Sequence, residues 1–129
     1  MAYTYDQVDD LQNTAKVGSK QCVALVQTYA KAPVTSAWKA GKAVLGETTL
    51  KKGTAIATFV DGKYASNATG NHAALYLSQD LAGIWIMDQW ASDASKPKVS
   101  KRYLRRKGRL ATGGFVDPSN NAEAYAVIE

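Results

Sequence analysis

The chain has one cysteine and one histidine among its 129 residues. One cysteine excludes an intramolecular disulfide, and with a single histidine it cannot complete a Cys/His zinc site. No metal and no other cofactor is expected. No apolar run reaches the length of a membrane-spanning helix, so no membrane span is expected. The opening Met1-Ala2-Tyr3-Thr4-Tyr5-Asp6 lacks both the basic and the apolar region of a secretory signal peptide, and none is expected. Internal repeats and low-complexity linkers are also missing. What remains is a chain with 46% hydrophobic and 21% charged residues, an ordinary globular balance that excludes global disorder. One domain over residues 1–129 is expected, able to bury roughly two thirds of its unfolded surface.

Net charge is +5. The excess sits in Lys96, Lys98, Lys101, Arg102, Arg105, Arg106, Lys107 and Arg109. Such a cluster concentrates polyanions, nucleic acid or an anionic cell-wall polymer among them. Equally, it describes a solvated strand edge kept from aggregating by its charges.

Residues 1–17 are polar, with Val8 and Leu11 spaced for a short, weakly docked helix. The main helix is expected from about Lys20 to Lys31, capped by Ser19 and ended before Pro33. Thr35 to Val44 reads as a short helix or helical turn carrying Trp38. The period then changes from helical to alternating. Thr54–Val60, His72–Leu77, Ile84–Trp90, Val99–Leu104 and Ala124–Ile128 read as strands, with an Asp61-Gly62 turn after the first. Helices first and an antiparallel sheet of about five strands afterwards make the fold class α+β. Core packing is expected for Trp38 and Trp85.

Gly18-Ser19-Lys20-Gln21-Cys22-Val23 places the thiol in the first helical turn. Unpaired backbone N–H groups and the positive end of the helix dipole favour thiolate there. His72 opens the second strand. If Leu77 faces Gly83 across a five-residue loop, His72 lies opposite Asp88, and a slip of two residues keeps both on one face. A slip of one would instead bring Gln89 to His72. Taken singly, each residue has a plain structural use: a small buried thiol, a satisfied histidine, an acid ending a strand. Their conjunction is the assembly a cysteine hydrolase needs, with a thiolate to attack, an imidazolium to protonate the leaving amine and a third group to orient the ring. Trp90, on the Asp88 face, is a candidate cleft wall. Gln21 is a candidate oxyanion donor beside the backbone N–H of Cys22, and Asn71 a candidate substrate contact.

A cysteine at a helix start, a Gly-x-His at a strand start and a polar residue on the next strand resemble the permuted papain-like NlpC/P60 and CHAP hydrolases of bacterial cell walls. Gly53-Thr54-Ala55-Ile56-Ala57-Thr58-Phe59 stands where those families carry Gly-Asp before an apolar strand, with Thr54 in place of the acid. Gln21-Cys22-Val23-Ala24-Leu25-Val26, Gly70-Asn71-His72-Ala73-Ala74-Leu75-Tyr76-Leu77, Asp88-Gln89-Trp90 and Val127-Ile128-Glu129 are similar to the BPSL0067 family, which resembles the second family of type VI secretion amidase effectors. The resemblance implies a permuted papain-like fold and a peptidoglycan peptide amidase that cuts the D-alanine–meso-diaminopimelate cross-link. Cys22 matches the nucleophile, His72 the base and Asp88 the third position. It also implies delivery by type VI secretion machinery to the periplasm of a target bacterium, and a cognate immunity protein that blocks the cleft. Two other classes compete. One is a non-enzymatic basic module for nucleic acid, although interleaved aromatic and basic residues are lacking and no nucleic acid is expected. The other is a thiol deamidase or acyltransferase acting on a protein.

Overall fold

A computed structural model describes the whole chain except Met1, Ser66, Ala68, Ser92 and Asp93. In chain order the regular elements are α1 (Cys22–Tyr29), β1 (Ala40–Ala43), β2 (Ala55–Thr58), β3 (Ala73–Gln79), β4 (Gly83–Asp88), β5 (Ser100–Arg105) and β6 (Tyr125–Ile128). Short 3-10 turns cover Val8–Leu11, Thr35–Ala37, Pro118–Asn120 and Ala122–Ala124. The strands form one antiparallel sheet in the order β1-β6-β2-β3-β4-β5. The class is the expected α+β with one strand more than expected.

The period-two alternation of β2, β3 and β4 divides the core between the two sheet faces. Ala55, Ala57, Ala73, Leu75 and Met87 face α1, where they meet Leu25 and Val26. Three of those five strand residues are alanines, and small side chains let the helix settle close to the sheet. Ile56, Ala74, Tyr76, Ile84 and Ile86 line the opposite face with Leu104, Tyr125 and Val127. Gly53 closes the sheet toward the N-terminus: its φ is +93°, and a Cβ there would lie 2.1 Å from the Tyr5 carbonyl oxygen. Only glycine fits that approach.

Four expectations need correction. The helix begins at Cys22 with Gln21 as its cap residue, not Ser19. Positive φ at Gly18 and Lys20 turns the chain before the helix starts, and Ser19 Oγ instead accepts the Gln21 N–H at 3.4 Å. The turn at Val8–Leu11 is firmly docked, with both apolar side chains buried. The Thr35–Val44 stretch contributes a 3-10 turn and then strand β1, which is mostly solvent-exposed and therefore carries no apolar alternation. Trp85 stands 43% exposed against Tyr103, its ring centroid 5.2 Å away, because that end of the sheet face is not covered by α1. Trp38 is buried as expected.

The β3–β4 register sets up the site. Leu75 pairs with Met87 and Tyr76 with Ile86, a displacement of two residues from the expected pairing. β3 also runs on to Gln79, and an irregularity between Tyr76 and Ser78 shifts the pairing toward the turn. An even displacement preserves the face, so His72 and Asp88 meet on a diagonal instead of directly across.

Candidate active site

Cys22 is the first residue of α1, where the backbone N–H groups have no intrahelical carbonyl to bind. The loop before it is held from below by Gln89, which is fully buried. Its carboxamide accepts the Val17 N–H at 3.0 Å and donates to the carbonyls of Val17 at 3.1 Å and Gln21 at 2.8 Å. Gln89 is thereby committed to the helix side of the sheet and does not serve His72.

His72 follows Gly70, whose φ of +82° makes the turn into β3. Its backbone is pinned to β2: the His72 N–H donates to Thr58 Oγ1 at 3.0 Å, and the Thr58 N–H donates to the His72 carbonyl at 3.0 Å. The imidazole Nε2 lies 2.8 Å from Asp88 Oδ2. That contact leaves Nδ1 free to face the Cys22 thiol, and the two groups lie close enough to shift each other's ionisation. The structure thus gathers Cys22, His72 and Asp88 into one relay.

Asp88 is fully buried, yet it is surrounded by cations. Oδ1 meets Lys96 Nζ at 2.6 Å as an ion pair, off the angle of a hydrogen bond, and Oδ2 also accepts Arg102 Nε–H at 2.7 Å. Burial alone would raise its pKa. The His72 hydrogen bond and the charges of His72, Arg102 and Lys96 outweigh that and hold it at about 2. Asp88 is therefore a carboxylate at neutral pH. Burial pushes His72 down, but the hydrogen bonds and charges of Asp88 and Cys22 carry it above the ordinary imidazole value. Burial pushes the thiol up, and the His72 hydrogen bond and charge, with Tyr64 and the Ala73 N–H, bring it below the ordinary value. Both directions favour the thiolate–imidazolium pair.

Two cations of the basic run are thus turned inward, which neither reading of Lys96 to Arg109 anticipates. Lys96 is 6% exposed and also donates to the Ser100 carbonyl at 3.1 Å and to Ser100 Oγ at 2.7 Å. Arg102 Nη1 donates to Asn120 Oδ1 at 2.7 Å. Lys101, Arg105 and Arg106 are exposed, as an edge strand requires.

The remaining candidates fall around this relay. Trp90 stands edge-on to His72, ring centroids 6.1 Å apart, and receives Lys96 and Arg102 on its face at 4.9 Å each. Gln21 is exposed at the helix start with no side-chain cap bond. Asn71 holds a buried carboxamide oxygen with no hydrogen-bond partner among the described residues. Sequence reasoning missed Tyr64, whose hydroxyl lies 3.6 Å from Cys22 Sγ. Burial and the neighbouring thiol raise its pKa, so it stays a phenol. Its ring rests 4.8 Å from Trp38, which donates its indole N–H to the Pro33 carbonyl at 2.8 Å. Nothing in the local pattern around Tyr64 marks it. Lys96 and Arg102 were visible only as members of a charge run.

Two openings flank these residues, one bordering Tyr64 and the other His72. One of about 610 Å3 is lined by Trp38, Tyr64 and the segments 35–39 and 61–63; another of about 270 Å3 is lined by His72, Trp90, Arg102, Ser119 and Asn120. Among the described residues no group of His, Cys, Asp and Glu is arranged to hold a metal ion, and no helix is long and apolar enough to cross a membrane.

Residues 4–128 match the family described as Domesticated amidase effector 2. The chain is 48% identical to a "Type VI secretion amidase effector 2 protein" of Salmonella typhi over the full length of both. It is 33% identical to a "Domesticated amidase effector 2" of Ixodes scapularis, across 88% of this chain and 73% of that one. A solved structure of "Type 6 secretion amidase effector 2 (Tae2)" superposes with a TM-score of 0.93 at 48% identity, covering 98% of this chain and 94% of the other. The match over nearly all residues, together with the shared fold, means that the chain belongs to the domesticated amidase effector 2 family of amidases.

Proposed function

We propose that this protein is a cysteine amidase of peptidoglycan, cutting the D-alanine–meso-diaminopimelate cross-link, and that Cys22, His72 and Asp88 carry the reaction. The observation that supports this most is the relay itself: one thiol at a helix start, coupled to a buried imidazole whose far nitrogen is 2.8 Å from a buried carboxylate.

The Cys22 thiolate attacks the carbonyl carbon of the scissile amide, and the carbonyl oxygen becomes an oxyanion. The Cys22 backbone N–H stabilises that charge, with the Gln21 side chain or the Tyr64 hydroxyl as second donor. His72 gives its proton to the amide nitrogen, the C–N bond breaks, and the amine leaves behind a thioester. Water then attacks the thioester with His72 as base, releasing a carboxylic acid and restoring the thiolate. Asp88 holds the ring by Nε2 and stays ionised throughout. Trp90 walls the cleft beside the imidazole.

As a type VI secretion effector, the protein would act in the periplasm of a rival Gram-negative cell, and its donor would need an immunity protein that covers the cleft. Digestion of purified sacculi followed by mass analysis of the fragments is the test. Loss of D-alanine–diaminopimelate cross-links with wild-type protein, and intact sacculi with folded Cys22→Ala, Cys22→Ser and His72→Ala, are the expected outcomes. Release of fragments by any of these three folded variants at the wild-type rate would remove the residue concerned from the mechanism. Cleavage of a different bond would reassign the substrate.

A further inference from the structure

Behind the carboxylate that holds His72, the hydrogen bonds continue outward. Asp88 Oδ2, which lies 2.8 Å from His72 Nε2, also accepts Arg102 Nε–H at 2.7 Å. Arg102 Nη1 donates to Asn120 Oδ1 at 2.7 Å. The Asn120 carboxamide in turn donates through Nδ2 to both oxygens of Asp117, each at 3.1 Å. Asp117 is paired with Lys107 at 2.8 Å. One chain of contacts therefore joins the imidazole to the surface turn Pro118–Asn120.

Each link aims the next. A carboxamide turned end for end keeps its shape, but at Asn120 only one orientation is favourable. Reversed, its oxygen would face the Asp117 carboxylate and its NH2 group the guanidinium, two repulsions in place of two attractions. Asp117 thereby directs the Asn120 oxygen toward Arg102. Asp117 holds a left-handed backbone, φ +44°, a conformation that Asp and Asn adopt more readily than most residues. Arg102 is a side chain that needs such restraint. It stands on β5, the outer strand of the sheet, and is 24% exposed, where a long side chain gives up rotamer freedom to stay in one place. Asp88 takes its Nε and the Trp90 ring lies 4.9 Å from it, while Asn120 holds Nη1. Because the single oxygen Oδ2 serves both Arg102 and His72, a swing of the guanidinium turns the carboxylate on which the ring depends. Lys96, 2.6 Å from Oδ1, is a point charge and does not fix the plane of the carboxylate.

Resting on the amidase reading above, we propose that Asn120 is a positioning residue of the hydrolysis: aimed by Asp117, it fixes Arg102, and through Arg102 the Asp88 oxygen that orients the imidazole. A ring out of line slows proton transfer to the leaving amine without weakening the hold on substrate, so the loss falls on kcat and spares KM.

The test compares wild-type protein with Asn120→Leu, which removes donor and acceptor at similar size, and with the double exchange Asp117→Asn, Asn120→Asp. The exchange keeps an acceptor toward Arg102 and a donor–acceptor pair between the two positions. Asn120→Ala removes the same groups with less bulk and replaces Asn120→Leu if leucine disturbs folding, which thermal melting checks. On cross-linked muropeptide dimers Asn120→Leu is expected to lose about tenfold in kcat with KM within about twofold, the scale of one charge-assisted hydrogen bond. The double exchange should recover most of that loss. A second readout needs no substrate. The protein has one histidine, so the Nε2–H proton of His72 is assignable in the downfield proton NMR spectrum without ambiguity. It should be sharp in wild type, broadened by solvent exchange in Asn120→Leu and sharp again in the double exchange. An unchanged kcat or an unchanged His72 signal in folded Asn120→Leu would overturn the role, as would a double exchange no better than Asn120→Leu. Wild-type protein that cleaves no dimer would overturn the amidase reading, and the NMR comparison would still decide whether Asn120 steadies the ring.

Discussion

Asp88 is the residue on which the site's electrostatics converge. Three cationic partners hold its carboxyl at about 2 against an ordinary 3.8. A depressed folded value means that the folded state resists protonation more than the unfolded chain. The resulting stability is present above the unfolded value and is lost as pH falls through about 2. Unfolding free energies from denaturant titrations, measured from pH 5 downward, should fall between those limits by about 2 kcal/mol, and Asp88→Asn should flatten that part of the curve. The same substitution removes the larger part of what raises the pKa of His72 and leaves Lys96 and Arg102 without their carboxylate beside it. The alkaline limb of the pH–rate profile, where imidazolium is lost, should therefore move to lower pH in Asp88→Asn. At Tyr64 a different readout applies. Tyr64→Phe deletes one hydroxyl beside the sulfur, and a fall in kcat of about tenfold or more with little change in KM is the expected result of losing an oxyanion donor. An unchanged kcat would leave Gln21 as the second donor.

At the scale of elements, the site is the place where the front of α1 meets the ends of β3 and β4. Gln89 fixes that junction, since its three hydrogen bonds all go to the loop that delivers Cys22. Gln89→Leu would leave the Val17 N–H without a partner, while the Val17 and Gln21 carbonyls keep the N–H groups of Lys20 and Ala24, and a loss of about 1–3 kcal/mol in chemical denaturation is expected. Thiol reactivity should fall with it, because the sulfur is no longer held against the imidazole. That Cys22, His72 and Asp88 come together was legible in the sequence because each obeys a local rule: a helix start, a strand start behind a glycine, and alternation along the next strand. The exact pairing was not, because the strand irregularity past Tyr76 has no signature in residue types. β1 was hidden for a related reason. It joins the sheet through its backbone to β6 while its side chains stay mostly in water, so no apolar pattern records it. Lys96, Arg102 and Tyr64 reach the site through loops and an edge strand, and nothing local distinguishes an inward lysine from its solvated neighbours.

Across the whole molecule, the charge of +5 has two separate uses. Lys96 and Arg102 are spent on Asp88, while Lys101, Arg105 and Arg106 remain exposed on the outer strand and beyond it. The exposed group is the part available to an anionic polymer. Reversing Arg105 and Arg106 to glutamate should weaken binding to sacculi at low salt, and the difference from wild type should shrink as ionic strength rises. Cosedimentation at several salt concentrations measures this, and identical binding by both proteins would assign the exposed charges to edge protection alone. The stacked Trp85 and Tyr103 belong to the same outer region, away from the relay.

Because the protein has one cysteine, thiolate can be titrated without ambiguity by its ultraviolet absorbance or by the rate of alkylation as pH is varied. Folded wild-type protein should form thiolate at a pH below that of an ordinary cysteine, and His72→Ala should return the titration to, or above, the ordinary value. A wild-type thiol that titrates identically with and without His72 would mean that sulfur and imidazole share no proton, and the hydrolytic mechanism would have to be abandoned.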